Sequence, residues 1–393
     1  MRFPEFSGEW ERHSLGEIGS TLIGLTYSPA DVVKEDGVIV LRSSNIQDGE
    51  IDYKDLVRVN KKIKDSLFTK KNDILICARN GSSRLIGKNA LISDDDTGHS
   101  YGAFMMVYRS EANPYVRQLL CTKRYFAQVG ENLGARINQI TTSDMNSFEF
   151  FFPQSKEERN KIALFLRLID ERISTQKKII EDLKKLKDAI NNSLHNSIKD
   201  YQTFSFNELG NDYCGLKGKS SDDFGSGFPY ISYLNVFRND VVTDEQFDYV
   251  KVAIGEKQNI VRDGDLIFTL SSETPSEVGI GAIYQGQTTP LYLNSFCFGV
   301  HLSNQEKIYG PYLAYFVTSQ YFRRTILPFA QGSTRYNLMK SDFMKHKFCF
   351  PNMASQKAIY NALHALSEKI QNEEVCLNKH TEQKQYLLTR LFI

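Results

Sequence analysis

The side chains in this chain best suited to chemistry are cations and amides gathered at turns, rather than the acids, histidines and thiols of an enzyme centre. Between Lys54 and Lys88 ten Lys or Arg stand against three Asp or Glu, and between Arg323 and Lys347 six stand against one. Such patches neutralise phosphates locally even though the whole chain carries 48 basic and 47 acidic residues. A solvated surface explains either patch taken singly. In each half an apolar strand signal also runs into a small polar loop, Arg79-Asn80-Gly81-Ser82-Ser83-Arg84 in one and Ser271-Ser272-Glu273-Thr274-Pro275-Ser276 in the other. Further on, Gly-containing loops follow at 133–138 and 331–337.

Catalytic constellations are missing from the sequence. It contains no Walker A loop, no G-x-G-x-x-G opening a helix, no G-x-S-x-G and no H-E-x-x-H. Asn113-Pro114-Tyr115 superficially matches an adenine-methyltransferase signature, but lacks a proline and a preceding Gly-rich loop. It reads better as a helix start with Pro in the first turn. Asp94-Asp95-Asp96 reads as a solvated acidic tip before Gly98, and the seven histidines are isolated. The six cysteines form no C-x-x-C pair, which argues against a zinc site or a disulfide framework and fits a reducing compartment. No stretch approaches the roughly 20 apolar residues that span a bilayer. The expectation is a cytoplasmic protein that binds no membrane.

Two long helices must position these loops. Residues 155–199 contain no Pro or Gly, and Ser155 with Glu158 spells a capping box directly after Pro153 and Gln154. Apolar residues recur there in heptads: Ile162, Ile169, Leu183 and Ile190 in one series, with Gln176 as its polar interruption. Leu166, Ile173, Ile180 and Leu194 form the other, interrupted by Lys187. The same frame returns 197 positions later as Ile359, Leu366, His380 and Leu387, with Leu363, Ile370, Leu377 and Leu391. The interruptions return too, as Glu373 and Lys384. Ten positions in register at one offset mark a tandem repeat of a globular unit followed by a long helix. The predicted boundaries are 1–154, 155–199, 200–352 and 353–393. A 45-residue helix would be about 67 Å long, a strut able to hold two similar modules at a set separation.

A strand entering a polar loop, a strand ending in Pro153 or Pro351, and then E-E-R-N-K-I-A-x-F-L or S-Q-K-A-I-Y-x-A-L: this pattern resembles the specificity subunit of type I restriction–modification enzymes, across essentially the whole chain. The resemblance implies an α+β chain. Two similar α/β target-recognition domains would be separated by two long helices that pair as an antiparallel coiled coil under a pseudo-twofold axis. It implies a non-catalytic DNA-binding subunit whose domains each read one half of a bipartite double-stranded site. The helices would set the gap and dock two methyltransferase subunits. Those partners would carry S-adenosylmethionine, with no cofactor on this chain, and would bring restriction translocase subunits. Two alternatives from other classes are a coiled-coil scaffold with protein-binding ends, and a methyltransferase or nuclease with its own active site.

Under that implied role, base readers need the paired hydrogen-bonding geometry of Arg, Asn and Gln on loops near phosphates. In the first domain the candidates are Arg42, Ser44 and Asn45 at a strand tip, Arg79, Asn80, Ser82 and Arg84 in the polar loop, and Arg136, Asn138 and Gln139. In the second they are Tyr233, Asn235, Ser271, Ser272, Gln331, Ser333, Thr334, Arg335 and Asn337. Lys61, Lys62, Lys64, Arg323, Arg324 and Lys340 are the expected phosphate contacts, which position without specifying.

Overall fold

The computed structural model describes residues 2–133, 138–197, 200–245, 247–304 and 306–392. The chain divides into two units, Met1–Lys177 with Val375–Ile393, and Lys178–Glu374. Each unit therefore holds a globular body together with segments of both long helices, α1 (Lys156–Asn196) and α2 (Met353–Leu391).

In the first unit an antiparallel sheet runs in the order β1 (Ser20–Ile23), β4 (Met105–Arg109), β2 (Ile74–Cys77), β3 (Asn89–Leu91). The central strand β2 is buried at every position, so it reads as an unbroken apolar run. Ile74 and Ile76 join a core with Tyr108, Tyr115, Tyr125 and Phe150. Leu75 and Cys77, on the opposite face, meet Ile39, Leu41, Ile46 and Tyr101. The latter layer belongs to a second four-stranded sheet built around Val38–Leu41.

The second unit repeats the plan with β5 (Gly210–Cys214), β6 (Leu266–Thr269), β7 (Gly281–Tyr284) and β8 (Cys297–Leu302), in the order β5-β8-β6-β7. It adds a short parallel edge strand, Val241–Val242, beside β7. Its core is ring-rich: Phe206 stacks on Phe343 at 5.2 Å and Phe316 lies 4.4 Å from Phe350. Each body is closed by its own first and last strands. Trp10–Ser14 pairs antiparallel with Glu149–Pro153, and Tyr201–Ser205 with Lys347–Pro351.

The helical stretch after β4 and β8 is broken in two in both bodies. The segments are Asn113–Leu119 and Lys123–Leu133 in the first, Leu313–Phe316 and Gln320–Ile326 in the second. The cause is a hydroxyl that works in both directions. Thr122 Oγ1 donates to Leu119 O at 2.7 Å and accepts from Tyr125 N at 3.3 Å. Ser319 Oγ donates to Phe316 O at 2.6 Å and accepts from Phe322 N at 3.2 Å. One residue thus ends one helix and caps the next. Asn113 is buried and donates to Asn72 O and Tyr108 O at 2.7 and 2.9 Å, a purely internal role. Asp96 departs from the solvated tip expected of it: it is buried and accepts from Ser93 and from the Tyr53 hydroxyl.

At the start of α1 Glu158 N donates to Ser155 Oγ at 3.2 Å, half of the expected capping box. The Glu158 carboxylate is buried and turns instead to Arg2, whose Nε and Nη2 each donate at 2.7 Å. Two full-strength bonds to a guanidinium outweigh one to a backbone amide. Along the helices Ile162, Leu166, Ile180, Ile359, Leu363, Ile370, Leu387 and Leu391 are buried. Ile169, Ile173, Leu183, Ile190, Leu194, Leu366 and Leu377 are half-buried. In the first unit Ile162, Leu166, Leu387 and Leu391 share the core of Tyr115 and Phe150, and Asp170 pairs with Lys384. In the second, Ile190 and Leu194 pack with Ile359 and Leu363, and Lys184 pairs with Glu374 at 2.7 Å. Lys187, a polar interruption of the seam, reaches Asp240 at 2.6 Å. Among the described residues no helix is long and apolar enough to cross a membrane.

Candidate nucleic-acid interface

The central strand of each main sheet ends in a tip held by three backbone positions. In the first body Ala78 N and Arg79 N both donate to Phe104 O at 2.9 and 3.0 Å, and Ile140 N donates to Ala78 O at 2.9 Å. In the second, Leu270 N donates to Phe296 O at 2.7 Å and Leu338 N to Leu270 O at 2.8 Å. Ala78 therefore matches Leu270, Phe104 matches Phe296, and Ile140 matches Leu338. At the first tip Arg79 bridges to Gln139, and at the second Ser271 pairs with Asn337 and Ser272 with Tyr336.

Around the first tip the polar candidates converge. Arg79 Cζ lies 5.0 Å over the ring of Phe104. Asn80 Nδ2 donates to Ser43 Oγ at 3.0 Å and its Oδ1 accepts from Ser82 N at 3.0 Å. Asn138 Nδ2 donates to Gly81 O at 2.9 Å. These bonds join the 42–45 turn, the 79–84 loop and the 138–139 segment into one polar edge. Ser44, Ser82 and Arg84 are exposed on it. A groove of 840 Å³ runs alongside, lined by Tyr27, Arg42, Ser43, Ser44, Asp55 and Phe104 among others. Arg42 crosses it to Asp55 Oδ2 at 2.6 Å. Arg136 lies outside the described residues.

The second tip is presented on a hairpin. Gln331 pairs with Asn337 across a loop in which Gln331, Ser333, Thr334, Arg335 and Asn337 are all exposed. Gly332 takes a φ of +152°, and a Cβ there would sit 2.0 Å from Arg335 O, so only glycine makes this turn. Arg335 Nε donates to Ser271 Oγ at 2.8 Å and its Cζ lies 4.6 Å over Phe296. Ser272 is buried and donates to Glu277 at 2.6 Å. Tyr233 is half-buried, stacked on Phe237 at 6.0 Å, and burial raises its hydroxyl above the ordinary value.

Several expected readers face inward instead. Asn45 is buried; its Oδ1 accepts from Arg42 N, and its Nδ2 donates to Asp52 O and Asp55 O, all at 2.9 Å. Asn235 Oδ1 accepts from Ser232 N and Oγ at 2.9 and 2.6 Å. Both asparagines close the first turn after a strand, which is a capping role. Among the expected phosphate contacts, Arg323 donates to Ser276 O and Val278 O at 2.6 and 3.1 Å, and burial lowers its guanidinium from the ordinary value. Lys340 reaches Asp212 Oδ2 at 2.6 Å; burial works against its charge, but Asp212 and Cys214 outweigh it and hold the ammonium above its usual value. Lys61 bonds Thr26 O at 3.2 Å. Lys62, Lys64 and Arg324 are exposed. Beside the two tips Phe104 and Phe296 are exposed. A Phe follows the turn at the same point of both repeats.

Among the described residues no group of three or more His, Cys, Asp or Glu is placed to hold a metal ion. Two similar bodies each carry a polar edge with exposed Arg and Ser at the end of a buried strand. The chain belongs to the family of type I restriction modification DNA specificity domains, whose model matches it twice, over residues 7–197 and 198–382. It is 24% identical over 296 residues to the type I restriction enzyme EcoKI specificity subunit of Escherichia coli K12. It is 25% identical over 199 residues to the StySPI specificity subunit of Salmonella potsdam. The matches cover 69% and 46% of this chain but only 63% and 41% of those relatives. The fold is that of the S subunit of a type I restriction–modification system from M. genitalium, at a TM-score of 0.58 and 17% identity, over 100% of this chain and 99% of the other. A chain solved in a study of type I complex assembly and conformational transition matches at 0.56 and 14% identity, over 98% of each.

Proposed function

We propose that this chain is the non-catalytic DNA-recognition subunit of a type I restriction–modification complex, and that each body reads one half of a bipartite double-stranded target. The observation that carries the proposal is the repeated tip: a buried central strand ending in a polar edge, built by the same two backbone bonds in both bodies, Ala78 N to Phe104 O with Ile140 N to Ala78 O in one and Leu270 N to Phe296 O with Leu338 N to Leu270 O in the other. Arg79, Asn80, Ser82, Arg84, Asn138 and Gln139 would contact the first half-site, and Gln331, Ser333, Thr334, Arg335 and Asn337 the second. Exposed lysines such as Lys62 would hold phosphates.

On this reading α1 and α2 pair as an antiparallel coiled coil, relating the two bodies by a pseudo-twofold axis and setting the unspecified gap. The contacts within each unit support the pairing: early α1 with late α2 through Asp170 and Lys384, and late α1 with early α2 through Lys184 and Glu374. The helices would also dock two methyltransferase subunits. Those subunits would bring S-adenosylmethionine, and through them restriction translocase subunits would join. The boundaries 1–154, 155–199, 200–352 and 353–393 describe recognition and spacing segments on the same reading.

The test is to co-express the chain with the type I methyltransferase subunit of its host and to map methylated adenines by single-molecule sequencing. A split motif with a fixed run of undefined bases, lost on deleting this chain, is the expected result. A stable complex that leaves no new methylation would overturn the reading in favour of a protein scaffold.

A further inference from the structure

We infer that Phe104 and Phe296 are a matched pair of aromatic contacts to DNA bases, one for each half-site, each stiffened by an arginine. The inference rests on the proposed DNA-reading role and adds to it a contact that is insensitive to base identity.

A phenylalanine left in water forgoes the apolar transfer energy that burial would supply. Phe104 is nonetheless 58% exposed and Phe296 47% exposed. Neither is a loose loop residue. The carbonyl of Phe104 is gripped by two backbone amides, and that of Phe296 by Leu270 N, while Phe296 N donates to Asn294 Oδ1 at 2.9 Å. The backbone of each is thus pinned to the end of the central strand while the ring projects outward. Such an arrangement presents a rigid apolar plate at little entropic cost on binding.

The arginines reach the rings from positions that do not correspond. Arg79 lies two residues past the end of the strand, while Arg335 comes from the hairpin loop, at the position that Ile137 occupies in the first half by the match of Ile140 to Leu338. Even so, both place Cζ within 5.0 Å of the ring centre. Two unrelated routes to one pairing mark the pair as the feature that matters. An apolar plate beside a cation suits a ligand that is planar and flanked by anions. A nucleobase between phosphates has that chemistry, and a ring inserted at or stacked on a base step is a known way for protein to grip and deform a duplex.

The experiment uses the full chain in complex with its methyltransferase subunits and duplexes carrying the mapped motif, with 2-aminopurine substituted in one half-site at a time. Phe104→Ala should lower the fluorescence change in the first half-site only, and Phe296→Ala in the second only. Each should raise Kd by about tenfold at fixed salt, with the motif unchanged and Phe→Trp retaining the signal. Both rings are surface groups, and an unaltered Tm will show that the variants fold. Unchanged 2-aminopurine signals and Kd in both alanine variants would overturn the inference while leaving the DNA-reading role intact. Loss of methyltransferase association with DNA binding retained would overturn it in favour of a protein contact. Absence of motif-specific binding by the unaltered complex would overturn the reading beneath it as well.

Discussion

His195 Nε2 lies 2.8 Å from the hydroxyl of Tyr312, with the two rings stacked 5.6 Å apart near the end of α1. The same place in the repeat, 197 residues on, puts Phe392 against Tyr115, again at 5.6 Å. A tyrosine at the head of the helical stretch in each body therefore receives a ring from the end of a long helix. In one case the ring is titratable.

That difference predicts an acid sensitivity. His195 Nδ1 lies 2.9 Å from Asn191 O, a carbonyl that only accepts, so Nδ1 carries the proton and Nε2 accepts from Tyr312. Burial lowers its pKa from the usual value. Because the folded pKa is below the unfolded one, the unfolded chain binds more protons as pH falls through about 6.5, and stability drops with it. Thermal melts of wild type between pH 7 and 5 should show this loss. His195→Phe should be less stable at pH 7, by about 1–3 kcal/mol for the stranded Tyr312 hydroxyl, yet show a flatter pH profile.

Arg335→Ala removes an exposed fork that is held by Ser271 and the Phe296 ring. Specificity at one position of the second half-site should relax, at a cost of about 1–3 kcal/mol in binding the cognate sequence. Lys62→Ala should weaken all sequences alike and reduce the salt dependence of binding. Methylation mapping and salt-dependent binding curves separate the two, and an unchanged consensus in Arg335→Ala would remove it from the base readers.

Asn45→Ala should act on folding rather than on reading. It strands Arg42 N and the Asp52 carbonyl in a half-buried turn, so a loss of about 1–3 kcal/mol is expected in denaturant melts. The consensus of whatever complex survives should be unaltered.

Gly332→Ala forces a Cβ into Arg335 O and must distort the hairpin that carries Gln331 and Arg335. Strain of about 1–3 kcal/mol is expected locally. Methylation mapping should show the second half-site altered and the first intact.

The helices and the repeat were legible because a seven-residue period and a constant offset survive without knowledge of contacts; all the seam positions proved buried or half-buried. The breaks at Thr122 and Ser319 were not, because a hydroxyl that caps a helix is indistinguishable in sequence from one on its surface. For the same reason Asn45 and Asn235 resembled Asn80 and Asn138. Direction of a polar side chain at a turn is decided by the layers beneath it. The exposure of Phe104 and Phe296 is illegible for the opposite reason, since an apolar residue in a strand-rich stretch is assigned to the core by default.

The paired strands that close each body place its first and last residues side by side, Trp10 opposite Pro153 and Tyr201 opposite Pro351. In genetic terms each body is an insert with adjoining ends. A crossover near those codons exchanges everything between them and leaves the heptad frame downstream undisturbed.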